Sequence, residues 1–326
     1  IDKNSNDTKT ELSKNEQKID AKKYQTFVSS LLFFSFLTKS KIFTIKDIID
    51  KIENKNNDNE NYDEDRRIFN NLNLNLNMIK YHYNDCHKFN ALKLDEKITY
   101  ANLLSKNDKL TLEQRVKVAL NNFSYISESE IVTPLKIATE MCNLIGIDKL
   151  KDIVNDNGKI LDIASKTGEF SVALYNLLST HTDIPKEKII NAIYCIPTSN
   201  LTRELTLKVY DILGLNKSNI ANITAYSLLE YHKFEFNKKQ NKNIETKELD
   251  YDKIKEILSD GKTFNKGGQI MKFDAVVGNP PYQIQGGSGG SNDAPIYQVF
   301  AKISENFGKL HESVQLPVFL WLRAKG

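Results

Sequence analysis

The chain is poor in cysteine, and its few cysteines lack the spacing of a metal site or of a disulfide framework. Cys86, Cys142 and Cys195 are the only three, and they lie far apart in the sequence. This excludes a small disulfide-stapled fold and a zinc site built on paired cysteines. The five histidines form no ligand pattern either. We therefore expect reduced thiols, a cytoplasmic protein and no bound metal.

Long apolar segments and a strong charge of one sign are also missing. The longest apolar run, residues 27–37, is too short to cross a bilayer and contains serines, so it predicts a buried helix. The chain begins with Ile1 and shows no signal peptide, and we expect no association with a membrane. With 45 basic and 42 acidic side chains, the net charge is only +3. Any contact with nucleic acid must therefore come from a local basic patch.

The length and composition are those of a globular protein of about two domains. Of the 326 residues, 40% are hydrophobic and 27% are charged, which is ample for a sizeable core. Residues 1–22 are polar and charged and predict a disordered tail. Residues 23–105 predict a small, mainly helical domain. Residues 106–326 predict a larger second domain.

The small domain has a weak resemblance to a winged helix. Its predicted elements are a helix over residues 23–37, a helix from Thr44, a helix from Asp63, and a hairpin over residues 78–94. Three helices followed by a hairpin is the order of a winged helix, and Arg66 and Arg67 would lie on its third helix. The alternative is a helical docking domain that makes no contact with DNA.

The larger domain begins with a helix over residues 110–123, and from Ile131 onward strands alternate with helices. The first predicted element is a helix with Thr133 as its N-cap, Pro134 at its first position and Gly146 as its stop. The elements that follow are strand 160–164, a helix with Phe170 in its apolar stripe, strand 192–196, helix 201–213, strand 222–225, a polar insertion over 233–268 with one internal helix, strand 273–278 and strand 318–322. This alternation predicts an α/β fold with a Rossmann-like, doubly wound, mostly parallel sheet. Ligands of such sheets bind at the carboxyl ends of the strands, near the reversal of strand order.

The most informative motif is Asn279-Pro280-Pro281-Tyr282, which directly follows the apolar strand 273–278. The prolines fix φ, and Pro281 forces the residue before it out of the helical region. The Asn279 amide and a nearby backbone carbonyl are then held where both can accept hydrogen bonds from one NH2 group. Tyr282 offers a face on which a flat base can stack. The alternative is a rigid turn that holds no ligand.

A second segment converges on the same edge of the sheet. It is the run Asp162-Ile163-Ala164-Ser165-Lys166-Thr167-Gly168-Glu169-Phe170. Small residues after a strand let the backbone approach a ligand closely, and Gly168 supplies the turn into the next helix. Asp162 is placed to accept hydrogen bonds from a ligand's amino group or from the N–H groups of its own loop. On its own, this run is also typical of an ordinary strand–turn–helix.

Together the two segments resemble the adenine-N6 DNA methyltransferases of restriction–modification systems, over residues 110–310. The residues from Asn279 to Tyr282 match the family's catalytic motif at every position. The family's cofactor motif usually reads Asp-Pro-Ala-(Cys/Ser)-Gly-(Ser/Thr)-Gly-x-Phe, and the run from Asp162 to Phe170 is similar to it. A Thr-Pro helix start that precedes both motifs, here Thr133-Pro134, resembles the gamma class, of type II or IIG.

The resemblance implies direct methyl transfer from S-adenosyl-L-methionine to a flipped-out adenine of double-stranded DNA. Asn279 and the Pro280 carbonyl would accept hydrogen bonds from the N6 amine, with Pro281 completing the turn and Tyr282 stacking on the base. The residues implied for cofactor binding are Thr133, Pro134, Asp162, Ala164, Ser165, Gly168, Phe170, Thr198 and Ser227. A nuclease or specificity domain, attached or separate, is the further partner implied.

Three departures from the family pattern concern the cofactor. Lys166 stands where the family has a glycine, and a side chain there costs strain if φ is positive. The second strand usually ends in an acid that holds the ribose hydroxyls, but here it ends in residues 196–199, where Thr198 or Ser199 is a neutral substitute. After the third strand, Ser227 is the polar candidate in place of an aspartate.

The family's last strands and its target-recognition domain have no counterpart in this sequence. We therefore expect a methyltransferase domain that is incomplete at its C-terminus, either a truncated piece or one completed by another segment. Two alternatives stay open. The first is an amino-methyltransferase that acts on RNA or on a protein glutamine. The second is a degenerate, non-catalytic methyltransferase fold that binds DNA or a partner.

Overall fold

A computed structural model of the chain describes residues 21–53, 61–85, 88–111, 114–115, 118, 132–181, 183–237, 242–264, 266–267, 271–281, 297–307 and 318–319. The chain divides into two compact units, Ile1–Tyr125 and Ile126–Gly326. The predicted tail lies outside the described residues up to residue 20, and a helix begins at Ala21. Most of the helix predicted over 110–123 also lies outside them. The domain boundaries read from the sequence stay predictions.

Every element described in the first unit is a helix. These are α1 (Ala21–Leu37), α2 (Ile45–Glu53), α3 (Tyr62–Asn71), α4 (Leu76–Asp85) and α5 (Lys88–Ser105). The apolar run of α1 is buried, as predicted, with Phe33, Phe34 and Phe36 almost wholly inaccessible. The buried side chain of Asp65 joins α3 to the loop after α1, because it accepts hydrogen bonds from the hydroxyls of Thr38 and Ser40.

The hairpin predicted over residues 78–94 is wrong. Those residues lie in α4 and α5 apart from 86–87, which are outside the described residues. The buried residues Leu94, Ile98 and Ala101 are spaced four and three apart, which is the period of a helix and not of a strand. The resemblance to a winged helix is lost with the hairpin, although Arg66 and Arg67 do lie on the third helix.

The second unit combines a small parallel sheet with helices. Its helices are α6 (Leu135–Asn143), α7 (Ile147–Asn155), α8 (Glu169–Ser179), α9 (Lys186–Ala192), α10 (Asn200–Leu213), α11 (Tyr251–Ser259) and α12 (Tyr297–Phe307). Its strands are β1 (Ile160–Ser165), β2 (Ile193–Pro197), β3 (His232–Asn237), β4 (Lys242–Leu249), β5 (Ala275–Gly278) and β6 (Val318–Phe319). The second unit therefore has an α/β architecture, and the Rossmann-like topology stays a prediction.

The parallel sheet has the strand order β2-β1-β5-β6. Strand β1 pairs with β2 on one side and with β5 on the other, both in parallel. All six residues of β1 are buried, which is expected where both faces of a parallel sheet are covered. One face packs on a core that includes Ile160 and Phe170, and the other packs on a core that includes Leu161 and Ile163.

Two predicted segments differ from the structure. Residues 222–225 do not form a strand. A parallel bridge between Ile220 and Cys195 precedes them, and the Ala225 N–H donates to the Pro197 carbonyl at 2.7 Å, so the segment lies beside β2 without forming a regular ladder. The insertion over 233–268 contains an antiparallel β3–β4 ribbon before its helix. The ribbon was not predicted because the segment is polar. The last predicted strand is present at Val318 and Phe319, and residues 320–322 lie outside the described residues.

Within the described part of the chain, no helix is long and apolar enough to cross a membrane. The same residues hold no group of three histidine, cysteine, aspartate or glutamate side chains that could bind a metal ion.

Candidate active site

The carboxyl ends of β1 and β5 lie side by side, and the two predicted motifs follow them. Asp162 of β1 pairs with Val277 of β5, so the segments after both strands leave the sheet at one edge. We call residues 164–168 the β1 loop and residues 278–281 the proline turn. Chain order runs from β1 to β2 on one side and continues with β5 on the other side of β1. This reversal of strand order is where open α/β sheets bind ligands.

Gly278 allows the proline turn to lie against β1. A Cβ atom at this position would meet the backbone carbonyl oxygen of Ile163 at 2.4 Å, a distance that real side chains do not reach. Because the obstacle is backbone, it cannot rotate away. Gly278 is a site residue that the sequence analysis missed, and a glycine directly before Asn-Pro-Pro was the available signal.

Asn279 is buried, and its side-chain amide is oriented by Thr133. The Asn279 Nδ2 atom donates a hydrogen bond to Thr133 Oγ1 at 3.0 Å, and only 6% of Asn279 is exposed. Since the nitrogen and the oxygen of an amide point apart, anchoring the nitrogen directs Oδ1 the other way. Pro280 and Pro281 are buried beside it. Tyr282, the last member of the predicted catalytic motif, lies outside the described residues.

Thr133 does not cap its helix as predicted. The carbonyl of Pro134 accepts the first helical hydrogen bond, from the Ala138 N–H at 3.0 Å, so Pro134 is the N-cap and Leu135 opens α6. Thr133 is one residue further out, buried, with its hydroxyl on Asn279. Because the helix begins one residue later than predicted, the Thr133 hydroxyl does not cap α6 and contacts the proline turn instead.

Lys166 reaches the proline turn from the β1 loop. Its Nζ atom donates a hydrogen bond to the backbone carbonyl of Asn279 at 3.0 Å, and the side chain is only 1% exposed. The sequence analysis expected strain at Lys166 if its φ were positive, and its φ is not positive. The structure shows instead that its side chain joins the two segments of the site, which no local pattern indicates.

The backbone of the β1 loop is sharply turned. Ala164 has a φ of 62°, and the pairing register between β1 and β2 shifts between Ile163 and Ser165. Gly168 has a φ of 78°, as expected of the turn into α8, and its N–H donates to Ser165 Oγ at 3.1 Å. A left-handed alanine is strained by about 1–2 kcal/mol. Such strain is found where a loop is shaped for a ligand.

Two buried carboxyl groups lie behind this loop, on Asp162 and Glu169. Burial, and then the nearby Glu169 carboxylate, raise the pKa of Asp162 well above its ordinary value. Its Oδ2 accepts a hydrogen bond from the Ser171 hydroxyl at 3.4 Å, and among the described residues Oδ1 has no hydrogen-bond partner. Glu169 accepts from the N–H of Thr167 at 2.8 Å, which fixes the loop from the helix side.

The other predicted cofactor residues are placed differently. Phe170 is wholly buried in the core under the sheet and supports α8. Thr198 is buried, with its hydroxyl 3.0 Å from that of Thr202, while its N–H donates to the Ser165 carbonyl at 2.9 Å. Ser227 donates its hydroxyl to the Thr224 carbonyl at 2.7 Å, within a local turn. These hydroxyls are used inside the protein, and their contact with a ligand stays a prediction.

A comparison with protein families finds a match over the part of the chain that contains the proline turn. Residues 202–313 match the family model of the Eco57I restriction-modification methylase. The match includes the proline turn and Ser227, but neither Thr133 nor the β1 loop. It supports a methyltransferase of the restriction–modification type, while adenine as target is a finer statement than the match carries. No curated protein sequence matches the chain.

Among solved structures, the chain is similar to an ATP-dependent Type ISP restriction-modification enzyme, LlaBIII, bound to DNA. The identity is 12% and the TM-score 0.41, over 83% of this chain and 17% of that enzyme. The chain therefore spans a small part of the length of this relative.

Asp162 within β1 and Glu169 at the start of α8 fit a cationic ligand. The Oδ1 atom of Asp162 is buried with no hydrogen-bond partner in the described structure, and Glu169 adds a second carboxyl group nearby. Such a pair suits a ligand that carries a sulfonium and an ammonium group. The left-handed turn at Gly168 keeps the backbone of the β1 loop close to that edge.

Proposed function

We propose that the chain is the catalytic part of a site-specific DNA methyltransferase that methylates N6 of adenine in a restriction–modification system. The single observation that carries the proposal is the Asn279 amide, held by Thr133 at the head of two buried prolines. That turn lies within the residues that match the restriction-modification methylase family. The proposal includes a Rossmann-like, doubly wound sheet and the gamma class of motif order.

Asn279 and Pro280 do the central work in this proposal. With its nitrogen on Thr133, the Asn279 amide presents Oδ1 as a hydrogen-bond acceptor, and the Pro280 carbonyl is a second acceptor on the same turn. Two fixed acceptors suit the two N–H bonds of one exocyclic amine. Accepting both raises the electron density on that nitrogen and fixes its direction of attack. Catalysis then comes from positioning, with no covalent intermediate on the protein.

S-adenosyl-L-methionine, when bound, supplies an electrophilic methyl group on a sulfonium. The residues that would hold it are Asp162 and the loop positions Ala164, Ser165 and Gly168, with Thr133-Pro134 closing the site. Phe170 contributes by supporting α8 from the core. Thr198 and Ser227 are the nearest neutral groups at the ends of the following segments and are the candidates for contacts with the nucleoside part.

The partner in this proposal is double-stranded DNA. The target adenine leaves the helix and stacks on Tyr282, because its N6 amine is out of reach inside the duplex. A nuclease or specificity domain, attached or separate, completes the system. The reaction would take place in the cytoplasm.

The test is methyl transfer from radiolabelled S-adenosyl-L-methionine to three substrates: duplex DNA, RNA of the same sequence, and a glutamine-containing peptide. We expect label in DNA alone, lost in Asn279→Ala and kept in Asn143→Ala, which changes an exposed asparagine at the end of α6. Label in RNA or in the peptide would favour the other amino-methyltransferases. If Asn279→Ala still transferred label to DNA, the catalytic role proposed for the proline turn would be wrong.

A degenerate, non-catalytic methyltransferase fold is the second candidate. Lys166, buried in the β1 loop, favours it because a buried ammonium ion opposes a sulfonium cation nearby. Calorimetry of donor binding separates the two candidates, with Asp162→Ala as the comparison. A folded chain that binds DNA but no donor would establish the non-catalytic function.

A further inference from the structure

The proline turn cannot hold itself in place. Pro280 and Pro281 have no N–H group, so two consecutive residues donate no backbone hydrogen bond. Their ring geometry fixes φ, but it does not fix how the turn as a whole sits against the sheet. A catalytic asparagine at the head of such a turn therefore needs hydrogen-bond partners from elsewhere in the chain.

Two side chains from distant parts of the second unit meet this need, and both act on Asn279. Thr133 accepts a hydrogen bond from the Asn279 amide, which sets the plane of the side chain. Lys166 donates a hydrogen bond to the Asn279 backbone carbonyl at 3.0 Å, which sets the position of the main chain. One contact orients the functional group, and the other fixes the backbone that carries it.

A lysine is a costly way to make the second contact. Burying a lysine side chain carries a desolvation penalty, which hydrogen bonds inside the protein offset only in part. Lys166 is nevertheless almost wholly buried. The cost is understandable if the contact serves the site and not the stability of the fold, since protein sites often retain groups that destabilise the folded state.

We propose that Lys166 is a positioning residue for methyl transfer, which holds the Asn279 backbone in its catalytic place and joins the β1 loop to the proline turn. The inference rests on the proposed function for its effect on catalysis. Lys166 touches neither the methyl group nor the target amine in this role. It acts through Asn279 and compensates for the hydrogen bonds that the two prolines cannot make.

The test compares Lys166→Met, which keeps the length and loses the donor, with Lys166→Arg, which keeps a donor. Lys217→Met is the matched control, because Lys217 is exposed and pairs with Asp211 on the surface. We expect Lys166→Met to lower kcat about 10- to 100-fold while KM for DNA changes less than threefold, since small misplacements of a reacting group have effects of this size. Its thermal midpoint should be unchanged or higher.

Hydrogen exchange supplies a readout that does not depend on catalysis. The Gly278 and Asn279 amides should exchange at least tenfold faster in Lys166→Met than in the unchanged chain, with Lys166→Arg restoring most of the protection and of the turnover. If the Met variant does not fold, Lys166→Gly is assayed with and without added propylamine. Recovery of turnover and protection by the amine supports the inference, and no recovery of either overturns it.

The outcomes separate the two proposals. Suppose that the Gly278 and Asn279 amides exchange faster in Lys166→Met but that the unchanged chain methylates no substrate. The proposed function would then be wrong, while the contact by which Lys166 holds the proline turn would stand. Unchanged amide exchange and unchanged kcat in Lys166→Met would overturn the positioning role of Lys166 and leave the proposed methyltransferase function untouched. If Lys166→Met lowered stability and kcat together and also raised KM, the lysine would have a structural role only. That result would also overturn the positioning role of Lys166.

Discussion

Thr133 and Asn279 are 146 residues apart in the sequence and joined by a 3.0 Å hydrogen bond in the fold. The bond runs from the segment before α6 to the turn after β5, so it can form only once the sheet has assembled. Its chemical effect is local: it selects one orientation of an amide that could otherwise rotate by half a turn. The catalytic role proposed for Asn279 depends on that selection.

Replacing Thr133 with valine should impair turnover more than stability. Valine keeps the shape of the side chain but removes the hydroxyl, so the Asn279 amide loses the partner that orients it. We expect kcat to fall about 10- to 100-fold, with a loss of about 1 kcal/mol in the free energy of unfolding. Steady-state methylation kinetics and urea denaturation measure the two effects.

Thr133→Ser and Thr180→Val are the controls for this prediction. Serine keeps the hydroxyl and should retain most of the activity, while Thr180 is exposed and donates its hydroxyl to a carbonyl of its own helix. If Thr133→Val raised the dissociation constant of S-adenosyl-L-methionine and left kcat unchanged, Thr133 would be a contact to the donor and not an orienting group.

Replacing Gly278 with alanine should disrupt the junction of β1 and β5. The added Cβ would meet the Ile163 carbonyl oxygen at 2.4 Å, and relief requires movement of one strand end. We expect a loss of about 1–3 kcal/mol in the free energy of unfolding, together with loss of methylation. Gly214→Ala is the comparison. Gly214 has a left-handed φ of 70°, but a Cβ atom added there meets no other atom within 4 Å, so the substitution costs only about 1 kcal/mol. Equal losses in both variants would contradict the close approach.

Asp162 should make the protein less stable as the pH rises. Burial first, and the Glu169 carboxylate second, raise the pKa of Asp162 above its ordinary value of 3.8. The folded chain therefore keeps a proton that the unfolded chain releases, and the contribution present below pH 3.8 is lost as the pH rises through the folded pKa.

Asp162→Asn removes this dependence because the amide does not titrate. The stability of the variant relative to the unchanged chain should increase with pH from 4 upward, measured by urea denaturation at stepped pH values. Asp156→Asn, at an exposed position, is the matched control. A relative stability of Asp162→Asn that fell with rising pH would contradict the raised pKa.

Local patterns in the sequence were sufficient for three strands of the parallel sheet in the second unit. Buried apolar runs bounded by turn residues identified β1, β2 and β5, and the glycine after β1 marked the start of α8. The same reasoning failed over residues 78–94, where short apolar stretches fit either a strand or a helix and packing decided for the helix. It also failed over 222–225, which lies beside β2 without forming a regular ladder.

The contacts that organise the site were beyond such patterns. Thr133, Lys166 and Asn279 are distant in sequence, and their meeting follows from the order of the strands and not from any spacing. Thr133 looked like a helix cap because a threonine before a proline usually is one. Lys166 was noted only as a departure from a glycine in the family motif. Its contact with Asn279 could not be predicted, because the direction of a side chain depends on the folded chain.

The most direct test of the central claim is to identify the methylated nucleoside. Duplex DNA is incubated with the chain and S-adenosyl-L-methionine, digested to nucleosides and analysed by mass spectrometry, beside Asn279→Ala and Asn143→Ala. We predict N6-methyldeoxyadenosine from the unchanged chain and from Asn143→Ala, and at least a hundredfold less from Asn279→Ala. Methylated cytosine as the product, or N6-methylated adenine made equally well by Asn279→Ala, would contradict the account.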